Sequence, residues 1–190
     1  GELRNPDVLK RQVTRMLSDS KSRAVVDNFA GQWLNLAMLD EMVPDPNVFP
    51  EFDADLRDDM KQESLLLFET IMKEDRSLLD FLDADFTFMN ARLAKHYGKD
   101  GVTGEEFQKV SLDTGRRAGI LTHASILTLT SNPERTSPVK RGKWIMENIL
   151  GESPPPPPPG VPELEETAKN NPNFTLREQL KLHRADPGCA

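Results

Sequence analysis

The sequence of 190 residues predicts a mainly α-helical fold. Along most of the chain, apolar residues recur with the spacing of the buried face of a helix. Several of these segments begin with an Asn, Asp or Ser that can cap a helix, and several end at a Gly. Only brief stretches alternate as strands do. We therefore predict a helical, bundle-like domain with at most one short β element, followed by a polyproline II spacer and a helical tail.

Two helices are predicted at the start of the chain. Asn5 and Pro6 place an N-cap and a first-turn proline at the beginning of the first. The second extends from Ser20 or Ser22 to Leu39. Its apolar stripe consists of Val25, Val26, Phe29, Trp33, Leu36 and Ala37. A stripe of this kind predicts a helix of the core.

A proline-rich connection precedes the longest predicted helix. Pro44, Pro46 and Pro50 exclude a helix in this connection and predict an extended, turn-rich segment. Asp53 then provides an N-cap for a helix that continues to about Asp75. The apolar line of this helix consists of Leu56, Met60, Leu67 and Ile71. It is the clearest amphipathic pattern in the sequence.

One acidic residue of the long helix, Glu63, falls inside its apolar line. A carboxylate that is buried needs a partner, because an unpaired buried charge is strongly destabilising. We therefore predict a structural ion pair between Glu63 and Arg135 or Arg141. The alternative is a catalytic acid, which a buried carboxyl group in a cleft would favour.

Shorter elements are predicted between residues 77 and 128. A helical turn at 77–82 leads to Phe86–Met89, for which we predict extended coil rather than a strand. A short helix at 90–97 ends at Gly98, and a short strand follows at 107–112. Residues 116–128 are predicted as a helix with His123 at the edge of its apolar stripe.

The remaining part of the chain is divided by a run of six prolines at 154–159. Before it, Ser137 and Pro138 begin a helix that Gly151 ends. The prolines themselves must form a stiff polyproline II rod, and two short helices are predicted after them, near 162–169 and 175–185. We therefore predict a helical domain at 1–150, a proline-rich spacer at 151–162 and a helical tail at 163–190.

Composition excludes several classes of function. The 24 basic and 31 acidic residues give a net charge of −7, which does not favour general nucleic-acid binding. No apolar run is long enough to span a bilayer, and the first residues do not resemble a signal peptide. Charge is unevenly distributed, with a balance of −11 over residues 40–85 and +5 over residues 115–143. We expect these segments to form an acidic and a basic face of one domain.

No catalytic or metal-binding motif stands out from the residues alone. The three histidines lack the spacing of a zinc site, and no nucleophile elbow, phosphate loop or Cys-x-x-Cys is present. Whether the chain is an enzyme is therefore left open. His123 is the histidine best placed to contact a cofactor, although a core-edge residue held by hydrogen bonds is the simpler interpretation.

Several segments together resemble one protein family. They are FAGQWL at 29–34, LTHAS at 121–125, RTSPVKRGKW at 135–144, ENILG at 147–151, the proline run, LREQL at 176–180 and DPGCA at 186–190. This combination resembles the planctomycete-type multidomain cytochrome c proteins, which are built from adjoining domains of unknown function. The resemblance extends over nearly the whole chain.

The resemblance implies a haem c in the full-length protein. Cys189 would be the first cysteine of a Cys-x-x-Cys-His attachment motif whose remainder lies beyond this sequence, so no haem is expected on these residues alone. His123, Arg135 and Arg141 would then be candidates for contact with the haem or its carboxylates. The resemblance also implies an extracytoplasmic location, with the haem segment and a redox protein as partners.

Three functions follow as hypotheses. The first is an accessory helical domain of an exported c-type cytochrome-like protein, with a role in electron transfer or haem shielding. The second is a helical scaffold or partner-binding module without a redox role. The third is an extracytoplasmic hydrolase with a site between the acidic and basic faces.

Overall fold

A computed structural model describes residues 1–112, 115, 117–155 and 173–185. The described chain is mainly helical and contains one two-stranded sheet, which confirms the predicted fold class. It divides into two compact units, Gly1–Gly151 and Glu152–Ala190. Most of the proline run, the helix predicted near 162–169 and Cys189 lie outside the described residues.

Helix α1, Pro6–Leu17, begins where its N-cap predicts. The side chain of Asn5 accepts a hydrogen bond from the amide of Asp7 at 2.9 Å, and Pro6 occupies the first turn. None of the residues of α1 is buried.

Helix α2 differs from the prediction in its pitch and its end. It consists of an α-helical turn, Arg23–Val25, a π-helical segment, Val26–Ala30, and a second α-helical turn, Gly31–Trp33. Val25 and Phe29 of the predicted stripe are 47% and 57% exposed, whereas Val26 and Ala30 are buried. Asn35, with φ of 57°, then ends the helix in the left-handed conformation, and a 3₁₀-helix, Leu36–Glu41, follows it.

Helix α3, Ala54–Lys73, lies at the centre of the first unit. The Asp53 side chain accepts from the amide of Leu56 at 2.7 Å, which confirms the predicted cap. Leu67 packs in one apolar cluster with residues of α2, Ile126 and Trp144, whereas Met60 packs in a second cluster around Met89 and Leu93. One helix therefore joins both parts of the core.

A short helix α4, Asp80–Asp83, precedes the sheet. Strand β1, Phe86–Met89, pairs antiparallel with β2, Gln108–Ser111. The prediction of extended coil for the first segment was wrong, because backbone pairing with the distant second segment makes it a strand. Helix α5, Ala91–Tyr97, follows β1 in the sequence; Asn90 caps it, and Gly98 ends it as predicted.

The predicted helix at 116–128 begins only at residue 124. A 3₁₀ turn, Ile120–Thr122, precedes helix α6, Ala124–Leu129, with His123 as the residue between them. Gly119 adopts φ of 54°, and its backbone passes against that of Phe81 and Leu82. The prediction of one continuous helix was wrong because this turn interrupts it.

Helix α7, Pro138–Trp144, continues as a π-helical segment, Ile145–Leu150, and ends at Gly151. Two hydrogen bonds of 2.6 Å join it to α2: the Trp33 indole donates to the Asn148 carbonyl, and the Asn148 amide side chain donates to the Trp33 carbonyl. In the second unit, helix α8, Leu176–Arg184, begins with a capping box of Thr175 and Glu178. Within the described part of the chain, no helix combines the length and the apolar character needed to cross a membrane.

Candidate functional site

A network of buried polar side chains surrounds Glu63 on α3. Glu63 is 1% exposed. The Thr87 hydroxyl of β1 donates to its Oε1 at 2.7 Å, and the Tyr97 hydroxyl of α5 donates to its Oε2 at 2.5 Å. The backbone amide of Ala124 donates to the same tyrosine oxygen at 2.7 Å. Two hydroxyl groups therefore stabilise the buried carboxylate.

His123 extends this network from Thr87 to two serine hydroxyl groups. Its Nδ1 lies 3.0 Å from Oγ of Ser64, and that oxygen lies 2.7 Å from Oγ of Ser125. Its Nε2 lies 3.4 Å from Oγ1 of Thr87 and 3.9 Å from Oε1 of Glu63. His123 is 2% exposed, and both serines are fully buried.

The hydrogen-bond donors and acceptors of the network can be assigned in one consistent order. The Thr87 hydroxyl donates its proton to Glu63, so it can only accept from His123, which places the imidazole proton on Nε2. Nδ1 then accepts from Ser64, and Ser64 accepts from Ser125. Each hydroxyl donates once, and the chain of donors ends at the carboxylate of Glu63.

Burial shifts two ionisations in this network. It holds the pKa of His123 below the ordinary value, with nearby Arg117 acting in the same direction and the Glu63 charge opposing it. Burial also raises the pKa of Tyr97 well above its usual value, and both the charge and the hydrogen bond of Glu63 add to the shift. The network therefore contains a neutral imidazole and a neutral phenol at neutral pH.

We predict that the free energy of unfolding decreases as the pH falls below about 6.5. The unfolded chain binds a proton on His123 there and the folded chain does not, so the stability present above this pH is lost at a rate of at most about 1.4 kcal/mol per pH unit for one proton. Urea unfolding between pH 7.5 and 5.5 should show a smaller slope for His123→Asn than for the parent.

His96 is the matched control for this measurement, since desolvation and Arg117 also hold its pKa below the ordinary value. His96→Gln should reduce the pH dependence of the free energy of unfolding only by the contribution of His96, and the contribution of His123 should remain. A His123→Asn variant with the slope of the parent would contradict the prediction.

A cleft of about 770 Å³ lies beside the network. The proline-rich connection before α3 forms one wall, with Val43, Val48 and Phe49. Leu56 and Met60 of α3 are also among its lining residues. The volume is in the range of small-molecule sites. Tyr97 lines the cleft and also belongs to the buried network, so it connects the two.

The charged lining of the cleft has three basic residues and two acidic residues. Its titratable residues are Glu41, Glu51, His96, Tyr97, Arg117, Arg135 and Lys140. The Arg117 guanidinium lies 3.9 Å from the centre of the Tyr97 ring and donates to the carbonyl of Thr122 at 2.9 Å. The cleft therefore combines an apolar wall with basic groups.

The structure separates the residues that the sequence predicted as one site. Glu63 contacts Thr87 and Tyr97 rather than Arg135 or Arg141, so the predicted ion pair is corrected: hydroxyl donors satisfy the carboxylate. Arg135 lines the cleft, and Arg141 lies 3.4 Å from the Thr130 hydroxyl.

His123 is also placed differently from the prediction. It lies in the core rather than at the edge of a helix stripe, because the helix begins after it. Both of its ring nitrogens face hydroxyl groups, so it does not present a ligand atom to the cleft. Cys189 lies outside the described residues.

Five residues of the site were not predicted from the sequence: Ser64, Thr87, Tyr97, Arg117 and Ser125. Ser64 flanks the predicted apolar line of α3, and this position beside Glu63 was the one available signal. Tyr97 and Thr87 contact Glu63 only because α5 and β1 pack on α3, which no local pattern indicates.

The network is not arranged for nucleophilic or metal chemistry. Ser64 contacts His123 as a serine nucleophile contacts its base, but it is fully buried and cannot meet a substrate. Among the described residues, no group of three or more His, Cys, Asp or Glu side chains is placed to hold a metal ion. The geometry instead favours a rigid support for the cleft.

Comparison with protein families gives two matches. Residues 1–98 match the PSD4 family, described as a protein of unknown function (DUF1592). The chain belongs to this DUF1592 family. Residues 117–190 match the PSCyt3 family, also described as a protein of unknown function (DUF1588). Both are domains of unknown function found in planctomycete-type cytochrome c proteins, which confirms this much of the resemblance.

Searches of curated proteins and of solved structures returned no match to the chain.

The candidate site is formed by both matched segments. The DUF1592 part supplies Glu63, Thr87 and Tyr97, whereas the DUF1588 part supplies Arg117 and His123. All five lie in the compact unit Gly1–Gly151. Neither segment alone completes the network or the cleft, so in this chain the two matched segments share one core.

Proposed function

We propose that this chain is an accessory, non-catalytic domain of a c-type cytochrome-like protein and that its cleft shields one face of the haem. The observation that supports the proposal is the apolar cleft with basic groups in its lining. Haem has an apolar ring and carboxylate groups at one edge, so an apolar wall combined with basic side chains is complementary to it.

The residues of the cleft fit a cover for the haem. Val48 and Phe49 would contact the ring, while Arg117 and Lys140 would receive its carboxylates. His123 does not fit as an iron ligand, because it is buried and its ring nitrogens face Ser64 and Thr87. Haem, when bound, would supply the electron-transfer chemistry, and this chain would exclude water from the ring and balance its charge.

The same proposal assigns the neighbours of the domain. Cys189 would be the first cysteine of the haem-attachment motif, and the segment that carries the rest of this motif would be the partner of the cleft. Because the proposal assigns a covalently attached haem c, it also places the protein outside the cytoplasm, with a redox protein as a further partner.

Titration of hemin into this chain tests the proposal. We expect a shifted Soret band and saturable binding in the parent. Phe49 lies in the cleft wall and is 44% exposed, so a charged residue at this position should reduce hemin binding. Phe49→Asp should weaken binding about tenfold or more, since it replaces an apolar contact by an anion.

Leu78→Asp is the matched control, because Leu78 is 76% exposed and is not among the residues that line the cleft. This variant should bind hemin as the parent does. Equal binding by both variants, or no saturable binding by the parent, would contradict haem shielding. The latter outcome would favour the scaffold hypothesis.

A further inference from the structure

Arg117 lies in the cleft, where the described part of the chain satisfies few of its donors. Its side chain is half-buried. One of its five N–H donors bonds to the Thr122 carbonyl at 2.9 Å. No acidic side chain among the described residues forms an ion pair with it. A guanidinium in a cleft with apolar walls that forms no ion pair with a described acidic side chain is suited to receive an anion.

The Tyr97 ring, against which the Arg117 guanidinium packs, is held by hydrogen bonds to its hydroxyl group. The guanidinium lies 3.9 Å from the centre of the Tyr97 ring, and the hydroxyl of that ring donates to Glu63 at 2.5 Å. The amide of Ala124 holds the same hydroxyl oxygen at 2.7 Å. Two bonds to the hydroxyl and the helix α5 backbone restrain the ring. The position of Arg117 is therefore set before a ligand binds, which lowers the entropic cost of binding.

The surroundings favour a negative over a positive ligand group. Arg135 and Lys140 also line the cleft, against Glu41 and Glu51. The negative charge of Glu51 is partly balanced, because its carboxylate lies 3.5 Å from the ammonium group of Lys95. Apolar walls exclude water and strengthen the attraction between an anion and the guanidinium.

We infer that the cleft binds an amphipathic carboxylate, with its apolar body against the wall formed by Val48 and Phe49 and its carboxylate on Arg117. This inference rests on the proposed use of the cleft as a binding site, but it names the chemical class of ligand and the residue that selects it. Planar, bidentate pairing of guanidinium and carboxylate gives the site its specificity.

Calorimetric titration with decanoate tests the inference on the chain as it exists. Decanoate should bind, whereas decyltrimethylammonium, with the same alkyl chain and the opposite charge, and acetate, without the alkyl chain, should bind at least about tenfold more weakly. Equal binding of decanoate and the cation, or no binding of decanoate, would overturn the inference.

Arg117→Met should reduce decanoate affinity about tenfold or more, the typical effect of one charged hydrogen bond. Arg15→Met removes the same charge from α1, outside the cleft, and should leave the affinity unchanged. An equal loss in both variants would show that net charge, not Arg117, attracts the ligand, and would overturn the assignment. If Arg117→Met fails to fold, Arg117→Lys, which keeps the charge but not the planar fork, must still weaken decanoate binding.

The decanoate and hemin titrations together distinguish a failure of this inference from a failure of haem shielding. Decanoate binding that depends on Arg117, together with no hemin binding, would contradict haem shielding alone. Hemin binding that is sensitive to Phe49→Asp but equal for the parent and Arg117→Met would contradict this inference and the role of Arg117 toward the haem carboxylates, but not haem shielding by the cleft.

Discussion

Gly119→Ala should be the most destabilising single-methyl addition in the described chain, at about 3–5 kcal/mol. An added Cβ would lie 2.4 Å from the backbone carbon of Leu82 and 2.5 Å from the carbonyl oxygen of Phe81. Backbone atoms cannot move away as a flexible side chain can. The φ of 54° adds strain for any residue with a Cβ. Urea unfolding of the parent and the variant measures the difference.

Two other glycines separate the causes of this loss. Gly104 has φ of 87° but open space where an added methyl group would lie, so Gly104→Ala should show the conformational strain alone, about 1–2 kcal/mol. Gly142 lies in α7 with an ordinary helical backbone and open space, so Gly142→Ala should stabilise by about 0.4–1 kcal/mol. A Gly119→Ala variant as stable as Gly104→Ala would show that the turn before α6 can move, and would contradict the close approach.

Local chemistry explains which elements could be predicted from the sequence. The caps at Asn5, Asp53 and Asn90 satisfy the first amides of their own helices, so their signals do not depend on the rest of the fold. The same is true of Gly98 and Gly151, which end helices in the left-handed conformation. Helix starts and stops of this kind were predicted correctly.

Elements that depend on distant contacts were predicted less well. Strand β1 exists because it pairs with β2 more than twenty residues later, and the turn at Gly119 is defined by its approach to the backbone of α4. A glycine in the middle of a predicted helix is a signal of interruption, and the prediction did not use it. The π segment of α2 had no local signal, and only part of the predicted stripe, including Val26, is buried.

Within the buried network, the sequence indicated Glu63 and His123 but none of their partners. Glu63 could be located because its spacing on α3 follows from the helix alone. Its partners lie 24 and 34 residues further along the chain, at Thr87 and Tyr97, and His123 reaches α3 through Ser64 over 59 residues. The reasoning that a buried carboxylate needs a partner was sound, but it supplied a cation where the fold supplies hydroxyl groups.

Tyr97→Phe tests whether the Tyr97 hydroxyl group stabilises the buried carboxylate of Glu63. The substitution keeps the ring beneath Arg117 and removes one oxygen, which leaves Oε2 of Glu63 and the amide of Ala124 without their partner. A hydrogen bond to a charged group contributes about 1.5–3 kcal/mol, and an amide left unpaired costs about 1–3 kcal/mol. We therefore expect a loss of about 3 kcal/mol or more in the free energy of unfolding.

The double variant Glu63→Leu/Tyr97→Phe identifies the cause. Once Glu63→Leu has removed the carboxylate, the tyrosine hydroxyl serves only the Ala124 amide, so Tyr97→Phe should then cost less than it does in the parent. Glu63→Leu alone should be milder than Tyr97→Phe, because an apolar residue in a buried position can replace a charged one at little cost, whereas a charge that loses its donor stays buried. Additive losses in urea unfolding would show that the two groups do not interact, and would remove the link between the buried network and the cleft.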